Sequence, residues 1–257
     1  MMNHATQGTY PPGSTFKLIT LLEYIRKSRY MAGFHYYLHR NIYKRDYVVN
    51  CHDGVAHGEL DIYGILGMSC NGAFDTIAQT LNSTKWQKLA EDFGYNQSDR
   101  SQVDFPYKKS HFDIASDDSV WSRMQLAIGQ GTTTVTPLLN LMMYAAIAND
   151  GVMMTPYLVD HYLDADGNVV EQTKPKALRS VCTKAEAELM DEFLTYVITN
   201  GTAAAGGSNM REYLEKQDQR SMIPQKIIMH GSAVMEQMIA TTLAQAYPVV
   251  VPQVTFD

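Results

Sequence analysis

Pro11-Pro12-Gly13-Ser14-Thr15-Phe16-Lys17 is the stretch whose reading decides the fold. Ser14 and Lys17 stand three residues apart. On a helix, positions i and i+3 share a face, so the hydroxyl and the amine come close enough to share a proton. Pro12 and Gly13 suit the entry to such a helix. Leu18, Ile19, Leu21, Leu22 and Ile25 follow at roughly helical spacing and predict a buried helix over 14–28. Ser14 is then expected at a helix N-terminus, where the dipole favours developing negative charge. A serine placed there beside an amine is a candidate activated nucleophile. Ser-x-x-Lys alone also describes an ordinary cap followed by a solvated face, so the rest of the chain has to decide.

Further along, Leu60 to Met68 predicts a short helix that leads into Ser69-Cys70-Asn71. Two more helices are expected over 73–81 and 84–93, the second stopped by Gly94. Residues 29–58 lack clean periodicity and read as a long loop with short strands, and 95–120 read as loop. The aromatic residues Tyr24, Tyr30, Phe34, Tyr36 and Tyr37 read as packing or surface. Gly129-Gln130-Gly131 reads as a tight structural turn. Thr136-Pro137 supplies an N-cap followed by proline, opening a helix over 137–149 that Asn149-Asp150-Gly151 ends. Residues 157–163 and Val169-Val170, joined across Asp166-Gly167, predict a hairpin. Thr183-x-x-Glu186 is a capping box for a helix to about Ile198, closed by Asn200-Gly201. The order implies an α+β fold, with a helical lobe joined to an antiparallel sheet.

At 257 residues the chain suits one large domain or two small ones. Its 45% apolar and 19% charged content is that of a globular protein, and a net charge of −6 leaves no basic footprint for nucleic acid. No apolar run approaches the ~18–20 residues of a membrane span, and the N-terminus carries no secretory pattern. Met1-Met2-Asn3-His4 therefore reads as the start of a soluble protein or of a fragment cut from a longer one. The three cysteines, Cys51, Cys70 and Cys182, leave one over and make no disulfide framework. Cys51, His52, His57 and Cys70 bring metal ligation to mind, but their spacing fits no strong zinc pattern. The expectation is no metal and no cofactor, with a Cys51–Cys70 disulfide left open.

Taken together the segments resemble the transpeptidase domain of penicillin-binding proteins, the monofunctional class B enzymes of elongation and division. The resemblance covers about residues 4–205 and rests on five ordered segments. These are 5–17 with Ser14 and Lys17; Cys51, His57-Gly58 and Leu60-Asp61; Ser69-Cys70-Asn71; Gly129-Gln130-Gly131 with Thr136-Pro137 and 148–151; and Asn200-Gly201-Thr202-Ala203. It implies a fold like that of penicillin-binding proteins and serine β-lactamases. It implies that Ser14 attacks the D-Ala-D-Ala carbonyl of a peptidoglycan stem peptide and that Lys17 is its base. Ser69 would relay a proton to the leaving amine, and Asn71 would hold Lys17 and the substrate amide. β-Lactams would acylate the same serine. Cell-wall synthesis proteins would be its partners, on the extracytoplasmic face of a bacterial membrane if the parent protein is anchored.

The family's third motif, Lys-Thr/Ser-Gly, does not occur in this chain. The nearest stretch is Met229-His230-Gly231-Ser232, which makes His230, Gly231 and Ser232 the candidate substrate-binding residues. There methionine stands for the lysine. A competing alignment places 231–247 at the family's closing helix. Either way the sheet is expected to be incomplete, within one transpeptidase-like domain over 1–257 whose part 206–257 is diverged or truncated. Two other readings stay open: a catalytically impaired relative, for want of that lysine, and a serine β-lactamase, which shares the Ser-x-x-Lys logic.

Overall fold

The structure, a computed structural model, describes residues 2–28, 33–38, 42–44, 47–49, 51, 56–97, 103 and 105–204. His230, Gly231 and Ser232, with the whole of 206–257, lie outside the described residues, as does Tyr30.

The chain enters through a 3₁₀ turn over Gly13–Phe16 and passes directly into helix α1, Lys17–Lys27. One α-helix over 14–28 was expected, but its first turn is wound tighter. Gly13 takes a left-handed φ of 58°, which needs glycine, and the turn closes on three-residue spacing. In that winding residues three apart eclipse one another, which stacks Ser14 over Lys17. From Lys17 to Glu23 every residue of α1 is buried. The helix packs against α3 (Asn71–Ala78), α4 (Ser83–Asp92) and α7 (Lys184–Thr199), making it the central rod of the helical lobe.

Between α1 and α3 the chain forms strands β1 (Tyr36–Leu38), β2 (Ile42–Lys44), β3 (Tyr47–Val49) and β4 (Gly58–Leu60), then helix α2, Ile62–Gly67. β1 pairs with β4 and β2 with β3, both antiparallel. Leu60 thus ends a strand instead of starting a helix. Asp61 is the true N-cap, accepting from Gly64 N at 2.7 Å. Helix α5, Val120–Ala127, is an element that the periodicity leaves unassigned. Its buried Arg123 interrupts the apolar face, because the guanidinium donates to the carbonyls of Ala78 and Leu81 and ties down the end of α3.

Helix α6, Pro137–Ala148, begins at Thr136, whose hydroxyl caps Leu139 N, and ends through Gly151 at φ 83°. β5 (Val152–Met154) pairs with β8 (Ala177–Ser180) around the expected hairpin, β6 (His161–Leu163) with β7 (Val169–Gln172). The capping box at Thr183 is present and opens α7. Among the described residues the strands form four separate two-stranded antiparallel sheets. Tyr24 and Phe34 pack edge-on at 5.6 Å, while Tyr37 faces solvent.

The nucleophile turn is clamped from below and behind. Phe16 is fully buried, with its ring centroid 4.8 Å from Phe112, 5.4 Å from Tyr95 and 6.4 Å from Trp86. Burying one such side chain contributes about 1.5–3 kcal/mol. Tyr144 Oη donates to Thr15 O at 3.0 Å, and Thr15 Oγ1 donates to Pro12 O at 2.9 Å. Gly13 N donates to Gly129 O at 3.0 Å. Gly129 sits at φ 68°, and a Cβ there would lie 2.3 Å from Gly13 O and 2.8 Å from Gly13 N. Backbone cannot yield that much, so the change would push the nucleophile turn away. Gly129→Ala is expected to destabilise the fold by roughly 2 kcal/mol or more, read from urea unfolding.

Candidate active site

Four of the expected site residues meet at one point. Lys17 Nζ donates to Ser69 O at 2.8 Å, to Ser69 Oγ at 2.9 Å and to Asn71 Oδ1 at 2.8 Å. Ser69 Oγ in turn donates to Ser14 Oγ at 3.0 Å. An ammonium has three protons, and these three acceptors take them all. The ring of Phe74 lies 5.3 Å from Nζ and adds a cation–π contact.

Ser14 and Lys17 are placed by the clamped turn just described. Ser69 and Asn71 are placed by the turn between α2 and α3. There Ser69 N donates to Leu66 O and Cys70 N to Ile65 O, both at 2.9 Å. Ser69 takes a left-handed φ of 50°, uncommon for a residue with a Cβ. That conformation turns both the Ser69 carbonyl and its hydroxyl toward Lys17. The α2 side of the turn is braced by a close glycine pair: Thr202 N donates to Gly67 O at 2.9 Å, and a Cβ on Gly201 would meet Gly67 O at 2.3 Å. The Asn200-Gly201-Thr202-Ala203 segment therefore supports the second motif from behind.

Lys17 is fully buried, and burial lowers its pKa to about 8. Nearby negative charge from Cys51, Cys70 and Asp75 opposes the shift. The amine is thus close to the point where it can give up a proton near neutral pH. With Lys17 charged, Ser69 Oγ accepts from Nζ and donates to Ser14. With Lys17 neutral, both bonds can reverse, Ser14 donating to Ser69 and Ser69 to the lysine lone pair. One proton on Lys17 therefore decides whether Ser14 accepts or donates in this chain, by way of the Ser69 hydroxyl.

Asp75 was not among the expected site residues. It lies one turn after Asn71 on α3, is 1% exposed, and its charge favours the protonated lysine. The signal was available in retrospect: a carboxylate among Gly72, Ala73, Phe74, Ile77 and Ala78 has no place in an apolar face without a charge to answer. Cys51, His57 and Cys70 also converge, with one ligand atom of each within 4.8 Å of the others. The sulfurs of Cys51 and Cys70 are 3.7 Å apart, with no disulfide between them. The hydrogen bond between the two sulfurs favours one thiolate and raises the pKa of the other thiol, Cys70.

A serine hydroxyl, a buried lysine of lowered pKa, a bridging hydroxyl and an orienting carboxamide are the groups that serine acyl transfer with a lysine base requires. The family model of the penicillin binding protein transpeptidase domain matches residues 1–214, and the chain belongs to that family. Two relatives are Stage V sporulation protein D of Bacillus subtilis, 26% identical over 196 residues, and peptidoglycan D,D-transpeptidase PbpA of Mycolicibacterium smegmatis, 27% identical over 196. The matches cover 76% and 74% of this chain but 30% and 39% of those proteins, so the chain spans about a third of their length. Among solved structures, the D,D-transpeptidase domain of a peptidoglycan glycosyltransferase from Eggerthella lenta aligns with TM-score 0.71 and 27% identity. It covers 79% of this chain and 52% of that one. Penicillin-binding protein A from M. tuberculosis, solved as an imipenem acyl-enzyme complex, shares the fold at TM-score 0.68 and 23% identity, covering 76% of this chain and 45% of that one.

If neutral Lys17 is the base, acylation of Ser14 should rise with pH as the lysine loses its proton through about 8 and then level off. Asp75→Asn removes a charge that favours protonation, so its profile should move to lower pH. Rates of labelling by a fluorescent penicillin across pH 6–10, a range set to bracket that value, read both effects. A profile flat through pH 8 would sink the lysine assignment.

Proposed function

We propose that this chain is a peptidoglycan D,D-transpeptidase domain that works through a Ser14 acyl-enzyme. The observation that carries the proposal is the unbroken chain Ser14–Ser69–Lys17–Asn71, its links between 2.8 and 3.0 Å. Ser14 Oγ attacks the carbonyl between two D-alanines as its proton passes through Ser69 Oγ to Lys17. The tetrahedral intermediate collapses when the leaving D-alanine amine takes a proton back along the same path. An amino group of a second stem peptide then attacks the ester, forming the cross-link and restoring the Ser14 hydroxyl.

β-Lactams occupy the same place, in line with the relative solved as an imipenem acyl-enzyme. The assignment places residues 4–205 as the family-like part of one domain over 1–257. His230, Gly231 and Ser232 stand as candidates for the substrate side, with Ser232 N as a second oxyanion donor beside Ser14 N. Among the described residues no helix is long and apolar enough to cross a membrane. Its work would lie on the extracytoplasmic face of a bacterial membrane if the parent protein is anchored, with cell-wall synthesis proteins as its partners.

The absence of a Lys-Thr-Gly or Lys-Ser-Gly triplet favours a second reading, a relative that folds but acylates poorly. Methionine at 229 supplies neither charge nor donor for the substrate carboxylate. Intact mass after incubation with benzylpenicillin separates the two readings. The expected result is one stable adduct on the wild type and none on Ser14→Ala. Lys17→Ala should slow adduct formation by about 10²–10⁴-fold, the range for loss of a general base. No adduct on folded wild-type protein would favour the impaired relative. An adduct that clears within minutes would favour a β-lactamase.

A further inference from the structure

We propose that the open cleft between the C-terminal half of α1 and helix α4 binds a small zwitterion, its ammonium on Glu23 and its carboxylate on Lys85. The chemical class is an α-amino acid or a short unblocked peptide. The cleft encloses about 590 Å³, within the range of ligand sites, and the buried Leu89 adds an apolar surface to its lining. None of the residues that line it belongs to the Ser14 site.

Glu23 is the group that calls for a ligand. It is 4% exposed and lines the cleft, yet its carboxylate takes no hydrogen bond from any described residue. On a helix the cations placed to answer it are Arg26 and Lys27, three and four residues on. Both are engaged elsewhere. Arg26 donates to Glu186 at 2.6 and 3.0 Å, and Lys27 Nζ donates to the Thr80 carbonyl. Burial raises the pKa of Glu23, the charges of Arg26 and Lys85 lower it, and that of Glu186 raises it. A carboxylate buried without a bonded donor is costly, more so than an unpaired neutral group. An ammonium entering the cleft would supply that donor in a charge-assisted hydrogen bond.

The α4 wall decides against a plain amine. Lys85 lines the cleft and is exposed, and among the described residues its ammonium has no hydrogen bond or ion pair. It stands in the first turn of α4, beside the Asn82 cap, where the helix dipole adds to its attraction for an anion. Lys88, on the same wall, is already paired with Asp92. A simple monocation drawn to Glu23 would be repelled by Lys85. A molecule with an ammonium at one end and a carboxylate at the other answers both. The cleft and the Ser14 centre share helix α1 but no residue, so the inference does not rest on the acyl-transfer reading.

The test is an NMR titration of the isotope-labelled full chain with L-alanine and, separately, with L-alanyl-L-alanine. The two probes differ in the reach between their charges and so distinguish the free amino acid from the peptide. Saturable shifts are expected at the amides of Glu23, Thr84 and Leu89 with at least one of them. Ser14→Ala should bind as the wild type does. Glu23→Gln and Lys85→Met should each weaken binding about tenfold or more, the scale of a lost hydrogen bond to a charged group. Lys85 is exposed, so its variant keeps the test valid if Glu23→Gln is less stable. Ethylamine and acetate, each carrying one of the two charges, should bind about tenfold more weakly than the zwitterion. The proposal is overturned if neither probe gives a saturable shift at those three amides. Shifts confined to Ser69 and Asn71 also overturn it and place the binding at the Ser14 site. It is overturned equally if folded Glu23→Gln or Lys85→Met binds like the wild type, or if ethylamine binds as tightly as the zwitterion, which would make the cleft a simple cation site.

Discussion

Everything at this site depends on keeping the Lys17 amine out of water. A buried ammonium is expensive unless each of its protons finds an acceptor. Ser69 supplies two acceptors from one residue, and Asn71 supplies the third. That arrangement makes burial tolerable without making it comfortable, because the acceptors at Lys17 Nζ are neutral oxygens. The charged form is destabilised just enough to bring the lysine near 8. Cys51, Cys70 and Asp75 work in the opposite direction and keep the shift from going further. The base strength of Lys17 is therefore a balance between desolvation and a few nearby charges.

This balance explains why so much of the fold serves two short turns. The nucleophile turn is held by the Phe16 aromatic cluster, by Tyr144 and by the glycine contact at 129. The Ser69 turn is held by α2, by the N-terminus of α3 and by the Gly67–Gly201 contact. An error of an ångström in either turn would separate Ser14 from Ser69 and cut the proton path. The strained φ of Ser69 fits the same logic, since strain persists only where the surroundings over-determine it. Arg123, deep among backbone carbonyls at the end of α3, stiffens the helix on which Asn71 rides.

Much of the helical lobe was legible in the chain because its signals are local. Pro137 after Thr136, the Thr183 capping box, the Gly94 stop and the apolar spacing of α1 each act within a few residues. The elements that escaped depend on distant partners. α5 is amphipathic only once Arg123 is seen to cap another helix, and β5 and β8 pair across more than twenty intervening residues of chain. Ser14, Lys17, Ser69 and Asn71 could be named early because their residue types and order carry the chemistry. Asp75 was legible only as a carboxylate out of place in an apolar helix, since its nearness to Lys17 comes from the fold.

By itself the sequence determined the Ser14–Lys17 and Ser69–Asn71 segments, most helix boundaries and the lack of a Lys-Thr-Gly or Lys-Ser-Gly triplet, all properties of short stretches of chain. The tertiary structure alone decided that Ser69 Oγ bridges Ser14 and Lys17, because that bridge joins residues 55 apart in sequence. It alone decided that Lys17 is dry, because desolvation is set by what packs around a group and not by its neighbours along the chain. Nothing in the spacing of Cys51, His57 and Cys70 announced that they cluster. Folding brought one atom of each within 4.8 Å of the others, since such a cluster is a matter of distance in space.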